Sequence, residues 1–259
     1  MSNTTFSYVD KGSGAVIVLL HGFCEDKTLW NKFIEKLSNE FRVIAPDLSG
    51  HGNSPLPEQS ISMESMAIEI KQLLDYLDIG QCVMAGHSMG GYVALAFAEK
   101  YPETLKGICL FHSSAFADTN EKKEARNKTI SFIKKHGVNA FADSFVAPLF
   151  SLDNRKEPYV TEVNKMVKNT APQSIMAAAA AMRDRPDRTH VLKAIDAPVL
   201  FIAGKEDNAA PLEKILQQCT LPKESFLHVL SDTGHMGMFE KEQETVGCLQ
   251  AFLHYIYNF

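Results

Sequence analysis

Six short runs of mostly branched apolar residues punctuate the chain: Ala15-Val-Ile-Val-Leu-Leu20, Arg42-Val-Ile-Ala45, Gln81-Cys-Val-Met-Ala85, Gly107-Ile-Cys-Leu-Phe111, Pro198-Val-Leu-Phe-Ile202 and Ser225-Phe-Leu-His-Val-Leu230. Their continuous hydrophobicity, without polar alternation, predicts strands buried on both faces. Between most of them, apolar positions recur every three or four residues. Leu29, Trp30, Phe33, Ile34 and Leu37 share one face of a first helix, and Met63, Met66, Ala67, Ile70, Leu73, Leu74 and Leu77 share one face of a second, which Ser62 can cap. A third helix is expected over about 88–101, and a C-terminal one aligns Val246, Leu249, Leu253 and Ile256. Such alternation demands right-handed crossovers and predicts an α/β fold with a doubly wound, mostly parallel sheet. Residues 4–10, followed by Gly12-Ser13-Gly14, predict an extra strand and turn at the front edge.

One stretch breaks the alternation. From Ser113 to Thr189 there is helical pattern but no strand, with Phe116, Phe132, Phe141, Phe145, Leu149, Phe150, Met166, Met176 and Met182 scattered among charges. The expected division is therefore a core of residues 1–112 and 190–259, interrupted by a helical insertion over 113–189. Ligands of open α/β sheets bind outside the carboxyl ends of the strands, so an insertion there is expected to cover a site as a lid. Residues 121–135 carry six basic and two acidic side chains, best read as a solvated helix face. The Phe and Met residues of the insertion are expected to form its own small core, some of them lining a pocket.

Composition narrows the picture further. The chain has 259 residues, 45% apolar and 22% charged, which fits a globular protein of one large domain or one domain plus an insertion. The runs Ala15 to Leu20 and Ile175 to Met182 are far shorter than the ~20 residues needed to cross a bilayer. Met1-Ser2-Asn3-Thr4-Thr5 has neither the basic nor the apolar region of a signal peptide, so a cytoplasmic location is expected. Five cysteines (Cys24, Cys82, Cys109, Cys219, Cys248) are odd in number and widely spaced, which predicts neither a disulfide framework nor a structural metal. A net charge of −5 argues against nucleic acid as a partner.

The chemistry centres on Gly86-His87-Ser88-Met89-Gly90, a G-x-S-x-G placed between an apolar strand and an amphipathic helix. The pentapeptide alone is a weak signal, but in that context it predicts a sharp, strained turn lifting the Ser88 hydroxyl above the sheet. Gly86 and Gly90 then pass too close to neighbouring backbone to carry a Cβ. A serine needs a base. His235, in the loop between the last strand and the last helix, is the best placed of nine histidines. His87 adjoins Ser88 but is expected to point away from it, while His112, His190, His228 and His254 fall in or beside predicted elements. The base in turn needs a carboxylate: Asp207, just past the strand ending near Ala203, is the candidate, ahead of Glu206 and Asp118. The order Ser88, Asp207, His235 is that of a hydrolase triad.

A developing oxyanion needs two N–H donors, expected from Met89 and from Phe23 in the loop after Leu19-Leu20-His21-Gly22. The Phe23 ring could also wall an acyl pocket, and His21 is read as structural. Cys24 is either buried near the site or an exposed reactive thiol. No phosphate-binding loop, dinucleotide fingerprint or H-E-x-x-H occurs, so no cofactor and no metal are expected.

Together, His21-Gly22-Phe23, Pro46-Asp47-Leu48-Ser49-Gly50-His51-Gly52-Asn53-Ser54, Gly86 to Gly91, Gly204 to Asp207 and Gly234-His235 give a chain that resembles the α/β-hydrolase superfamily over nearly its whole length. The resemblance implies an α/β-hydrolase fold with a single helical cap and a structural role for the Asp47 to Ser54 loop. It also implies a serine hydrolase acting on a small carboxylic ester, thioester or lactone through an acyl-enzyme, a carboxylesterase with a small acyl substrate as its partner. Serine at position 88, where a dehalogenase carries Asp, argues against that activity. The lack of a glycine-rich run after His21 weakens the hormone-sensitive lipase and proline iminopeptidase readings. A carbon–carbon bond hydrolase, a cofactor-free perhydrolase or acyltransferase, and a small-molecule sensor on the same scaffold are the alternatives. Substrate identity and oligomeric state are not encoded in any motif found.

Overall fold

In the computed structural model, residues 6–258 are described. Seven strands, β1 (Tyr8–Lys11), β2 (Val16–Leu20), β3 (Arg42–Pro46), β4 (Cys82–His87), β5 (Leu105–Phe111), β6 (Val199–Gly204) and β7 (Ser225–Leu230), form one sheet in the order β1-β3-β2-β4-β5-β6-β7. β1 runs antiparallel to β3, and every other pairing is parallel. The expected front strand is thus present as β1, although positions 4 and 5 of that expectation, like the whole Met1 to Thr5 segment, lie outside the described residues. β2, β4 and β6 are apolar on both faces because helices cover both, and Ile17, Val18, Val83, Met84, Phe201 and Ile202 are fully buried.

β7 departs from the expectation of burial on both faces. It pairs only with β6 and exposes Ser225, Phe226 and Leu227, as an edge strand does where no further layer lies over it.

The helical pattern is realised in α1 (Asn31–Leu37), α2 (Met63–Tyr76), α3 (Met89–Lys100) and, at the end, α10 (Glu242–Tyr257). Ser62 caps α2 in a reciprocal capping box with Ser65, satisfying two of the N–H groups that a helix start leaves free. α2 packs beside α3 and α1 beside α10, each pair against the sheet. Between β5 and β6 lie α4 (Asn120–Phe145), α5 (Pro158–Asn169), α6 (Pro172–Asp184) and α7 (Thr189–Ala194), with no strand among the described residues. α4 breaks at Gly137, where φ +78° and ψ 174° leave the helical region. The first half of α4 is largely exposed, in keeping with the charge run read there. Two short helices, α8 (Leu212–Gln218) and α9 (Gly237–Glu240), follow β6 and β7 and were not signalled by any apolar period.

Arg188 ties the segment 113–189 to α3 and α2 by ion pairs with Glu99 (3.0 Å) and Glu64, while within the segment Asp118 takes Arg185 (2.8 Å) and Arg126 (3.2 Å). Arg185 also lies over the ring of Tyr92 in α3, 3.8 Å from its centre. The Asp47 to Ser54 loop has the bracing role expected of it. The Asp47 carboxylate accepts the N–H groups of Lys27 (2.8 Å) and Asn53 (2.9 Å) and pairs with Lys27 Nζ (2.5 Å). Its neighbour His51 is buried against the ring of His21, centres 5.2 Å apart.

Two measurements follow from this packing. Phe33 is fully buried, with its ring 5.1 Å from that of Trp30 and 6.0 Å from that of Phe111, so Phe33→Ala should cost about 3–5 kcal/mol. Urea unfolding is expected to show a lower midpoint at an unchanged slope. Burial, reinforced by His21, pushes the His51 ring down to about 3, so the unfolded chain takes up a proton that the folded chain refuses. That contribution is fully present above the ordinary histidine value and is lost as pH falls from about 6.5, at up to about 1.4 kcal/mol per pH unit. His51→Gln should flatten the fall in unfolding free energy between about pH 6.5 and 5.

Candidate active site

The carboxyl ends of β2, β4, β5 and β6 line up, with Leu20 beside Gly86, His87 beside Phe111 and Phe111 beside Ile202. Strand order reverses between β2 and β4, the position at which open α/β sheets form a crevice. Ser88 sits there, between the last residue of β4 and the first of α3, at φ +49° and ψ −112°. A non-glycine residue in that region carries strain of about 1–3 kcal/mol and persists only where its surroundings enforce it. They do so by crowding. A Cβ on Gly86 would lie 2.3 Å from the Gly90 carbonyl, and one on Gly90 would lie 2.4 Å from the Leu20 carbonyl oxygen. The Ser88 N–H donates to Phe111 O (3.0 Å), and Ser113 Oγ donates to Ser88 O (2.7 Å).

Asp207 and His235 are brought together. Asp207 lies beyond β6, buried, and its Oδ2 accepts from His235 Nδ1 at 2.8 Å. Its other oxygen, Oδ1, accepts the N–H groups of Ala209 and Ala210, each at 2.8 Å. Burial alone would raise this carboxyl. The opposing charge of His235 and the hydrogen bonds from His112 and His235 outweigh burial and hold it well below the usual carboxylate range. With Nδ1 turned toward Asp207, Nε2 is the other ring nitrogen of His235. The Ser88 hydroxyl and His235 Nε2 make no direct hydrogen bond among the described residues. Of the competing acids, Glu206 is exposed, and Asp118 is occupied by Arg126 and Arg185.

Phe23 follows Gly22 in the loop after β2, and no acceptor takes its N–H among the described residues. Met89 is the first residue of α3, so its N–H has no carbonyl one turn back in the helix. The ring of Phe23 meets those of Phe141 (6.4 Å) and Phe145 (5.8 Å) from the second half of α4. His21 is structural, as expected: Leu48 N–H donates to its Nε2 (2.9 Å), its Nδ1 donates to Gly22 O (2.8 Å), and burial keeps the ring neutral. Cys24 is buried at φ +62°, and burial raises its thiol well above the ordinary value, so it is not a reactive surface thiol.

Glu240 and Glu25 escape the sequence reading, which sets His112 aside as lying beside a strand. His112 follows β5 directly, at φ +49°, and its Nδ1 donates to the same Asp207 oxygen as His235, at 2.9 Å. Its place at the end of the strand next to β6 was the available signal. Burial lowers the His112 ring despite Asp207, and its Nε2 is buried without a partner among the described residues. Glu240 in α9 brackets His235. One carboxylate oxygen accepts from Gly234 N (3.0 Å) and Met236 N (3.2 Å), and the other accepts from Ser151 N (2.9 Å) and Asn154 Nδ2 (3.0 Å). Glu25, fully enclosed, contacts His87. The expectation for His87 is that it points away from Ser88; its ring nitrogens face Glu25 Oε2 (2.9 Å) and His235 O (3.0 Å), and its ring centre lies 4.9 Å from that of His235. His112, Asp207 and His235 also form the one group of His, Cys, Asp or Glu atoms close enough for a metal among the described residues. Their spacing of 2.8 and 2.9 Å is that of hydrogen bonds, shorter than the ~3.3 Å that ligands keep around a tetrahedral ion.

No helix of the described residues is long and apolar enough to cross a membrane. A family model described as alpha/beta hydrolase fold matches residues 15–242. A thermophilic esterase from Thermogutta terrifontis superposes with a TM-score of 0.92 at 33% identity, over 97% of this chain and 93% of that one. The enol-lactonase from Burkholderia xenovorans LB400 superposes at 0.89 with 23% identity, over 96% of each chain, a likeness of fold. In sequence, an uncharacterized protein of Mycobacterium tuberculosis is 42% identical over 99 residues, which span 38% of this chain and 29% of that protein. With an elbow of the expected geometry, a mostly parallel seven-stranded sheet and a family match across most of its length, this chain belongs to the alpha/beta hydrolase fold family.

Proposed function

We propose that the protein is a serine hydrolase that cleaves a small carboxylic ester, thioester or lactone through an acyl-enzyme. The observation that carries this is the 2.8 Å hydrogen bond between Asp207 and His235, on a loop tied to the residue preceding Ser88. In this reading, Ser88 Oγ attacks the substrate carbonyl while its proton passes to His235 Nε2. Asp207 holds the imidazole in the required tautomer and stabilises the imidazolium. The negative oxygen of the tetrahedral intermediate is met by the N–H groups of Phe23 and Met89 and by the N-terminus of α3. The imidazolium then returns its proton to the leaving group as the carbon–oxygen or carbon–sulfur bond breaks. Water, deprotonated by the same nitrogen, releases the acid and restores Ser88. Catalytic hydrogen bonds are often long before substrate binds, so the hydroxyl and Nε2 need meet only in the complex.

We further propose that residues 113–189 act as a cap. Support comes from Phe141 and Phe145, which pack on Phe23, and from the backbone hydrogen bond of His235 N–H to Leu149 O at 2.6 Å. Ester cleavage is favoured by likeness to the Thermogutta protein, named as an esterase. A cytoplasmic location is favoured by five free cysteines, which suit a reducing compartment.

The decisive test is covalent. Wild-type protein should be labelled by a fluorophosphonate probe on Ser88 and should turn over p-nitrophenyl acetate. Ser88→Ala should lose both, with kcat falling on the order of 10⁶-fold. Wild-type protein that takes no label overturns the reading.

A further inference from the structure

We propose that Glu25 and His87 form a buried ion pair that clamps the Phe23 turn, the Ser88 elbow and the His235 loop together, making both of them positioning residues for the reaction. The proposal rests on the serine-hydrolase reading above and adds to it two side chains that lie outside the triad.

The argument begins with proton counting. His87 is fully enclosed, and each of its ring nitrogens faces an acceptor: Nδ1 lies 2.9 Å from Glu25 Oε2, and Nε2 lies 3.0 Å from the carbonyl oxygen of His235. A backbone carbonyl has no proton to give, so Nε2 must carry one. The Glu25 oxygen already accepts the Gly22 N–H at 2.5 Å, and it serves both neighbours as a carboxylate. With Glu25 as the carboxylate, Nδ1 carries a proton too, and the ring is an imidazolium. The surroundings agree. Burial alone would lower His87, but the charge of Glu25, its hydrogen bond, the His235 carbonyl and Asp207 together raise it. Burial alone would raise Glu25, but the charge and hydrogen bond of His87 and the Gly22 N–H together lower it. The rings of His112 and His235 also face His87, with centres 6.1 and 4.9 Å away.

Each end of the pair grips a different segment. Glu25 folds back on the Gly22 N–H and so closes the turn that presents Phe23. The His87 backbone leads directly into Ser88, and its ring holds the carbonyl of His235 while Asp207 holds the imidazole of that residue. The glycine at 22 is part of the device: a Cβ there would sit 2.6 Å from Glu25 Oε2 and 2.8 Å from His87 Nδ1. Placement of donor, nucleophile and base to well under an ångström is what such a clamp supplies, and misplacement by ~1 Å costs about a hundredfold in rate.

Glu25→Gln keeps the shape and the acceptor for Gly22 but removes the charge. It should lower kcat for p-nitrophenyl acetate about a hundredfold with little change in KM, and slow fluorophosphonate labelling in proportion. Because a lone buried cation can prevent folding, the double variant Glu25→Gln with His87→Gln provides a charge-free partner. It should unfold near the wild-type temperature yet remain at least about tenfold slow, a result that a merely structural pair would not give. Independently of activity, nitrogen-15 histidine spectra of the wild-type protein at about pH 8 should show two protonated ring nitrogens on His87, assigned by their loss in His87→Gln. A single ring N–H on His87, or wild-type labelling by either folded variant, overturns the proposal. Absence of label on wild-type Ser88, by contrast, overturns the serine reading and leaves the spectroscopic result standing on its own.

Discussion

Between β4 and α3 the chain turns from a buried parallel strand to a helix within a single residue, Ser88. That constraint governs this molecule. It forces Ser88 to φ +49°, where a residue with a Cβ is uncomfortable, and it draws Gly86 and Gly90 into contact distances that no other residue tolerates. The strain is borne because the elbow has no room to relax. β4 is buried along its length between β2 and β5, and α3 is buried at Met89 to Ala98. Opening the elbow would expose an apolar strand and an apolar helix together, which costs far more than the local strain returns.

What surrounds the elbow extends the same logic to polar groups. Asp207 collects four donors, two imidazoles on one oxygen and two backbone N–H groups on the other, so its negative charge is fixed with no loose lone pair. A carboxylate satisfied in this way is rigid, and its rigidity passes to the His235 ring. His112 contributes through position: its N–H donates to Ile202 O at 2.8 Å, so the residue that steadies Asp207 is itself anchored to the strand from which Asp207 departs. Charges buried this deeply are stable only when every partner is present.

Much of this could be read from the chain alone, and the boundary between what could and could not has a physical cause. Apolar runs and helical periods reveal burial, so β2 to β6, α1, α2, α3 and α10 were all foreseeable. Ser88 announces itself because its strain demands glycines two residues away on either side. β7 misled because its composition resembles that of a central strand, while its exposure is set by the absence of a neighbour, which no local pattern records. Glu25, His87 and Glu240 stayed hidden for a related reason. Each acts on segments distant in sequence, His87 reaching 148 positions to His235, and a hydrogen bond across such a separation leaves no periodic trace. The short helices α8 and α9 are shaped by where β6 and β7 end, and lack an apolar stripe long enough to stand out.

The long segment between β5 and β6 has one edge built into the loop that carries His235. The His235 N–H donates to Leu149 O, and Glu240 joins the N–H groups on both sides of His235 to Ser151 and Asn154. Gly234 must be glycine for this to happen, since a Cβ would press to within 2.6 Å of Leu149 O. Residues 149–154 therefore belong mechanically to the loop of His235, while the first half of α4, exposed and separated from that edge by the break at Gly137, does not. The break falls at Gly137, where the positive φ suits a glycine and an added Cβ would meet nothing within 4 Å.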